Sequence, residues 1–238
     1  MITTKAIVIN TIKYGDSSLI AKCYTQEYGM RSYLLRGILG SRKGKLKVAY
    51  FQPLTILELT ASNREKGTLE YIKEVKVHRP YISIFQDMRK RGIAMFISEV
   101  LSNSIQQEES DSLLYDYLEN TLIWLDMHNE VANFHLLFLL NLSKFLGFYP
   151  DVQRKELPYF DLLEGKYSKI QPQQYFVEGD ELELLNKLLG IKFDVLHSIK
   201  FSARQRNELL HILIGYFQLH LQGFKRPRSL DVLKELFR

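Results

Sequence analysis

Apolar positions recur with two different periods along this 238-residue chain, and the change falls near position 80. Before it, short runs alternate with turn signals. Residues 6–12 predict a strand that ends at Tyr14-Gly15-Asp16-Ser17. Residues 19–24 set Leu19, Ala21 and Cys23 against Ile20, Lys22 and Tyr24, the period of two expected of a half-buried strand. Residues 30–35 follow a turn at Glu27-Tyr28-Gly29, and residues 54–59 and 69–77 supply two more strands around a polar turn at 63–67. The last run predicts one face made of Leu69, Tyr71, Val75 and Val77. Five short strands in so few residues imply a small barrel or sandwich.

After Tyr81 the period becomes helical. Ile93, Phe96, Ile97, Val100 and Leu101 form the stripe of an amphipathic helix. Residues 113–127 and 131–146 continue the series, the second stopped by Gly147 and Pro150. Residues 150–178 contain Pro150, Pro158, Gly165 and Pro172 and show little periodicity, so they read as an irregular lobe. Helices resume at 182–189. A capping box of Ser202 and Gln205 opens a long helix that runs to about 221, and a short helix follows Ser229. The expected fold class is therefore α+β in two domains, a barrel over 1–80 and a helical domain over 81–238.

Charge divides at the same place. Residues 1–80 hold 14 Lys and Arg against 6 Asp and Glu, whereas residues 81–238 hold 18 against 21. The overall net charge of +5 therefore hides +8 in front and −3 behind, and 1–50 alone carry 9 basic residues against 2 acidic. A basic front predicts a polyanionic partner. The single cysteine, Cys23, excludes an intramolecular disulfide and any multi-cysteine zinc or iron–sulfur site. The N-terminal residues lack the pattern of a signal peptide, and the most apolar stretch, 134–142, falls short of the about 20 residues of a membrane span. The expected location is cytoplasmic, with no membrane contact.

The glycine-rich loop at 37–47 does not satisfy the phosphate-loop pattern. Counting back from Gly44-Lys45 finds Leu39 where glycine is needed, and Leu46 stands where a hydroxyl is needed. No two of the six histidines are four residues apart, so no helical face presents a metal-binding pair. The acidic groups at 108–111 and 180–183 open helices, where negative charge complements the backbone dipole. There is no Gly-x-Ser-x-Gly elbow, and Cys23 lies mid-strand, where a thiol is inert. No catalytic residue, metal or cofactor is expected.

What remains is electrostatic. Lys22, Arg31, Arg36, Arg42, Lys43, Lys45 and Lys47 are interleaved with Tyr24, Tyr28 and Tyr33 and followed by Tyr50 and Phe51. Basic residues neutralise phosphates while aromatic faces stack on unpaired bases. The candidate nucleic-acid-binding set is Arg31, Tyr33, Arg36, Arg42, Lys43, Lys45 and Lys47, with Tyr33 as the stacking residue. A second basic group, Lys225, Arg226 and Arg228 after the end of the long helix, complements the helix dipole there and is also a candidate for receiving an acidic peptide.

Several of these residues resemble a family. Ile7-Val8-Ile9, Tyr14-Gly15-Asp16-Ser17, Leu19-Ile20, Thr25 to Gly29, Tyr33-Leu34-Leu35, Gly37 and Gln52-Pro53-Leu54 follow the N-terminal pattern of RecO, the bacterial recombination mediator. Leu146-Gly147-Phe148-Tyr149-Pro150 and the ending at Arg228-Ser229-Leu230, Leu233 and Leu236 resemble its rear part. The resemblance implies an OB-fold barrel, a helical domain, and binding of single- and double-stranded DNA. It also implies a place at the nucleoid, strand annealing and, with RecR, loading of RecA onto strands coated by single-stranded DNA-binding protein (SSB). The acidic tail of SSB is a partner that either Lys225, Arg226 and Arg228 or Arg204 and Arg206 near the start of the long helix would receive. Many members carry two Cys-x-x-Cys pairs after Gly-Phe-x-Pro as a zinc site; here 150–178 have none. Zinc is not expected, and aromatic packing by residues 159–165 is expected to hold the lobe instead. The alternatives are an OB-fold RNA-binding module with a helical interaction domain, and a metal-dependent nuclease using the acidic clusters.

Overall fold

The computed structural model describes residues 1–40, 46–63, 69–105 and 109–238. They divide into two compact units, Met1–Met127 and His128–Arg238. The change of periodicity at 80 marks the end of the strands, but the first two helices pack with those strands, so the first unit runs on to Met127.

The first unit starts with β1 (Ile2–Tyr14), β2 (Ser18–Thr25) and β3 (Gly29–Leu35), then β4 (Ile56–Ala61) and β5 (Ile72–Val77). Their order is β3-β2-β1-β4-β5, with every neighbouring pair antiparallel. The outer strands meet through one parallel bridge, Tyr33 to Glu70. Leu34 N–H donates to the Glu70 carbonyl at 2.8 Å, and Glu70 N–H donates to the Ser32 carbonyl at 2.9 Å. That order with a parallel β3–β5 contact is an OB-fold, a partly open barrel. Its seam is one bridge and not a full ladder.

Inside lie Ala6, Val8, Ala21, Cys23, Tyr33, Leu35, Leu57, Leu59 and Ala61, with Phe51 and Ile38 from the β3–β4 connection. Ala6 to Ile9 are all fully buried because β1 is covered on both faces. On the outer side, Ser98 of α1 (Met88–Ser104) donates to the Ile9 carbonyl at 2.6 Å, and Asn10 donates to Ser102 at 2.7 Å. Tyr115 of α2 (Ser112–Met127) stacks on Tyr24 with centroids 6.4 Å apart. The predicted face of β5 is corrected. A bulge lies between the Thr60–Glu74 and Ala61–Ile72 pairs, so Ile72 joins Val75 and Val77 against the core and Tyr71 turns outward.

The connection from barrel to helices is pinned by one carboxylate. Asp126 accepts from the backbone N–H of Ile82, Ser83 and Ile84 at 2.9, 2.8 and 3.0 Å. Burial pushes its carboxyl up, and the three donors outweigh burial and hold it below the usual range. Lys90, buried to 1% exposure, donates to Ser83 Oγ at 2.6 Å and to the Asp126 carbonyl at 2.9 Å.

In the second unit, α3 (Phe134–Phe145) is buried nearly all round, against α4 (Gly179–Leu188) and α5 (Ala203–His220). The capping box at Ser202 and Gln205 forms as read, and α6 (Leu230–Leu236) closes the chain. The lobe at 150–178 is more regular than expected. Its three strands, β6 (Tyr159–Asp161), β7 (Lys166–Ser168) and β8 (Phe176–Glu178), form a small sheet in the order β7-β6-β8. Strands of three residues are too short to leave a readable period.

Candidate nucleic-acid interface

The strand register sorts the barrel's outward residues into rows. Tyr14 lies opposite Ser18, and Arg36 continues β3 beside them. Ile12, Ile20 and Leu34 form the next row, and Asn10, Lys22 and Ser32 the third. The α1 contact covers the outer face only as far as Asn10. Beyond it the surface is open: Ile12 is 50% and Tyr14 52% exposed, and Lys22 and Arg36 are exposed. Among the described residues neither cation has a carboxylate within ion-pair distance.

Loops converge on this end. Gly37 N–H donates to Ser18 Oγ at 3.1 Å and Leu39 N–H to the Ser17 carbonyl at 2.9 Å, tying the β3–β4 loop to the β1–β2 turn. Gly37 takes a φ of +64°, a left-handed turn that a side chain would resist. Arg36 then reaches toward the β4–β5 loop. Its guanidinium carbon lies 4.9 Å from the Tyr71 ring centre, and Nη2 donates to Tyr71 Oη at 2.8 Å. The surface thus offers cations, an exposed aromatic and an apolar strip on one rigid sheet, the combination that holds a flexible polyanion with stacked bases.

The outer face of β1, β4 and β5 is the reverse. Lys5 pairs with Glu119 and Lys76 with Glu58, each at 2.7 Å, and His78 stands 3.7 Å from both carboxylates. Its charges are neutralised internally, which leaves little attraction for phosphate.

The residues singled out from the sequence are placed as follows. Arg36 is on the open face, and Lys47 is exposed before a 3₁₀ turn, with its ammonium 5.9 Å from the Tyr50 ring centre. Arg31 is half-buried on the interior side of β3, opposite Cys23, and donates to the Met30 carbonyl at 3.0 Å. Tyr33 is a correction. It is 0% exposed, and burial pushes its phenol well above the ordinary value, so no ring face is open to a base. The cause is closure of the barrel over the face that Tyr33 shares with Ala21 and Leu35. Arg42, Lys43 and Lys45 lie outside the described residues. Tyr14, Ile12 and Tyr71 were not singled out. Tyr14 stood in the turn motif, and only the bulge in β1 between Val8 and Asn10 aligns it with Arg36. Cys23 is buried and its thiol is pushed up to about 12, as an inert cysteine requires.

The two basic groups of the second unit differ in availability. Arg206 is committed to structure: it donates to the carbonyls of Phe201 at 2.7 Å and Phe237 at 3.0 Å. Arg204 forms an i,i+4 pair with Glu208 at 2.6 Å. Lys225, Arg226 and Arg228 are exposed, Arg226 with only a loose 3.9 Å approach to Asp231. With 18 residues, α5 separates the groups by about 27 Å at 1.5 Å per residue.

The lobe at 150–178 is filled by rings. Phe160 is fully buried and packs edge-on to Tyr167 at 5.1 Å, while Phe148 meets Tyr216, Phe217 and His220 at 5.6, 5.0 and 5.1 Å. His220 bonds the Leu162 carbonyl at 2.9 Å, and Tyr216 Oη donates to the Phe148 carbonyl at 2.8 Å. The donor set does not fit zinc, since no group of three metal-ligating side chains occurs among the described residues. Nor is any helix among them long and apolar enough to cross a membrane.

A five-stranded OB-fold with an open basic face, ahead of a helical unit, defines a nucleic-acid-binding class of protein. The family profile "Recombination protein O N terminal" matches residues 1–81, and "Recombination protein O C terminal" matches residues 86–230. The chain is similar to the "DNA repair protein RecO" of Flavobacterium psychrophilum, 48% identical over 236 residues that cover 99% of both chains. It is 46% identical over 237 residues to that of Christiangramia forsetii, covering 100% of this chain and 99% of the relative. It is 37% identical over 238 residues to that of Bacteroides fragilis, covering 98% of each. The chain belongs to the RecO family of DNA repair proteins.

Proposed function

We propose that this chain is a non-enzymatic recombination mediator that binds single- and double-stranded DNA, anneals complementary strands and helps load RecA onto SSB-coated single strands. The observation that carries the reading is the open outer face of β1–β3, where Lys22 and Arg36, with no carboxylate within ion-pair distance among the described residues, flank the exposed Tyr14 and Ile12. Annealing needs no reacting side chain. Two strands repel each other, and a basic surface that screens both raises their encounter rate. Arg42, Lys43 and Lys45 follow Arg36 in the sequence and would add to its phosphate contacts, with Lys47 beyond them. Arg31, on the interior side of β3, joins the set only through its accessible half.

The helical unit would serve protein partners, RecR and the SSB tail. Lys225, Arg226 and Arg228 suit an acidic peptide better than Arg204 and Arg206, because Arg206 already serves Phe201 and Phe237.

The test is annealing of complementary strands, bare and SSB-coated, together with the salt dependence of single-strand binding. Neutralising Arg42, Lys43 and Lys45 together is expected to weaken binding and to lower the slope of log K against log salt by about 2, at about 0.7 per phosphate. An unchanged slope rejects the loop. Annealing of RNA but not DNA moves the chain to the RNA-binding alternative. Magnesium-dependent strand cleavage moves it to the nuclease.

A further inference from the structure

Resting on the reading of the outer barrel face as the DNA surface, we infer that Tyr71 is a positioning residue that holds the Arg36 guanidinium in place for a DNA phosphate. Both residues flank the seam of the barrel. Arg36 follows β3 two residues after Leu34, and Tyr71 follows Glu70, so the hydrogen bond from Leu34 N–H to the Glu70 carbonyl in the Tyr33–Glu70 bridge fixes both backbones. Tyr71 is pinned a second time, its N–H donating to Ser62 Oγ at 2.9 Å and its carbonyl accepting from Ser62 N–H at 2.9 Å. Ser62 Oγ in turn donates to the buried Glu70 carboxylate.

On that fixed base the phenol gives Arg36 two restraints, the ring under the guanidinium and an acceptor for one Nη2 hydrogen. A guanidinium carries five N–H donors, so the others stay available. No carboxylate competes for them among the described residues, in contrast to Lys5 and Lys76 on the neutralised face. An unrestrained arginine must freeze its long side chain when it meets a phosphate; the Tyr71 contact does this beforehand. Tyr71 therefore contributes to affinity through Arg36 and not through a contact of its own.

The test is fluorescence anisotropy of a labelled oligothymidine on the full-length protein across a salt series. Arg36→Gln is expected to weaken binding and to lower the salt slope by about 0.7. Tyr71→Ala is expected to weaken binding about two- to fivefold, the size of an exposed cation–π pair. Tyr71→Phe keeps the ring and loses the acceptor, and falls between. In the Arg36→Gln background neither Tyr71 substitution has any further effect. If Tyr71→Ala lowers the melting temperature, Tyr71→Phe carries the comparison alone. An equal loss from Tyr71 substitution with and without Arg36 overturns the inference, as does unchanged affinity in Tyr71→Ala, and either leaves the DNA surface standing. Unchanged affinity and slope in Arg36→Gln overturn the surface and the inference together.

Discussion

Lowering the pH is expected to destabilise the second unit through one buried ring. His135 is 2% exposed in the middle of α3, and its ring stacks on Phe237 with centroids 5.8 Å apart. Burial, reinforced by the Arg206 charge, holds its imidazole at about 3, against 6.5 for an ordinary histidine. In the unfolded chain the ring takes up a proton as the pH falls below about 6.5, while the folded chain refuses one until about 3. The unfolded state therefore binds more protons throughout that window. Stability from this group is complete above pH 6.5 and is lost as the pH falls toward 3. The slope approaches about 1.4 kcal/mol per pH unit, so two units below 6.5 cost about 3 kcal/mol, much of the stability of a domain. Urea unfolding followed by far-UV circular dichroism, repeated across this range, reads the loss. Carboxylates such as Asp126 add a loss of the same sign, common to the parent and to His135→Leu and His135→Phe. The difference in slope isolates the ring. Parallel pH profiles for the parent and both variants would show that His135 is protonated in the folded state and would refute the argument.

Two other substitutions test the packing described above. Tyr33→Phe removes a buried hydroxyl that has no hydrogen-bond partner among the described residues, so stability is expected to hold or to rise by up to about 1 kcal/mol, with DNA affinity unchanged; weaker DNA binding would return Tyr33 to the interface. Gly165→Ala places a Cβ 2.6 Å from Tyr216 Oη at a φ of +65°, and strain plus overcrowding are expected to cost about 2–4 kcal/mol in urea unfolding. An unchanged midpoint there would mean that the ring cluster is not close-packed.

The helical elements were legible because their signals are local. The α1 stripe from Ile93 to Leu101, the Ser202–Gln205 cap and the stop after 145 depend only on neighbours within a turn or two. The core strands were legible for the same reason. What failed was tied to a change of register. The bulge in β5 moved Tyr71 off its predicted face, and the bulge in β1 brought Tyr14 into line with Arg36. The strands at 159–178 have three residues each, too few for alternation to show in any window, although two of them form a local hairpin.

Alternation along β3 determined by itself that Tyr33 and Leu35 lie on one face and Leu34 and Arg36 on the other. Composition likewise determined that the front of the chain is basic. Neither says which face goes inside. That choice belongs to the contact of Leu34 and Glu70 across the seam, which curls the sheet over Tyr33 and leaves Arg36 outside against Tyr71. The salt bridges from Lys5 and Lys76 decided which part of the basic surface keeps its charge for a ligand. Their partners include Glu119, more than a hundred residues from Lys5, and attraction between charges depends on distance in space, which only the folded chain sets.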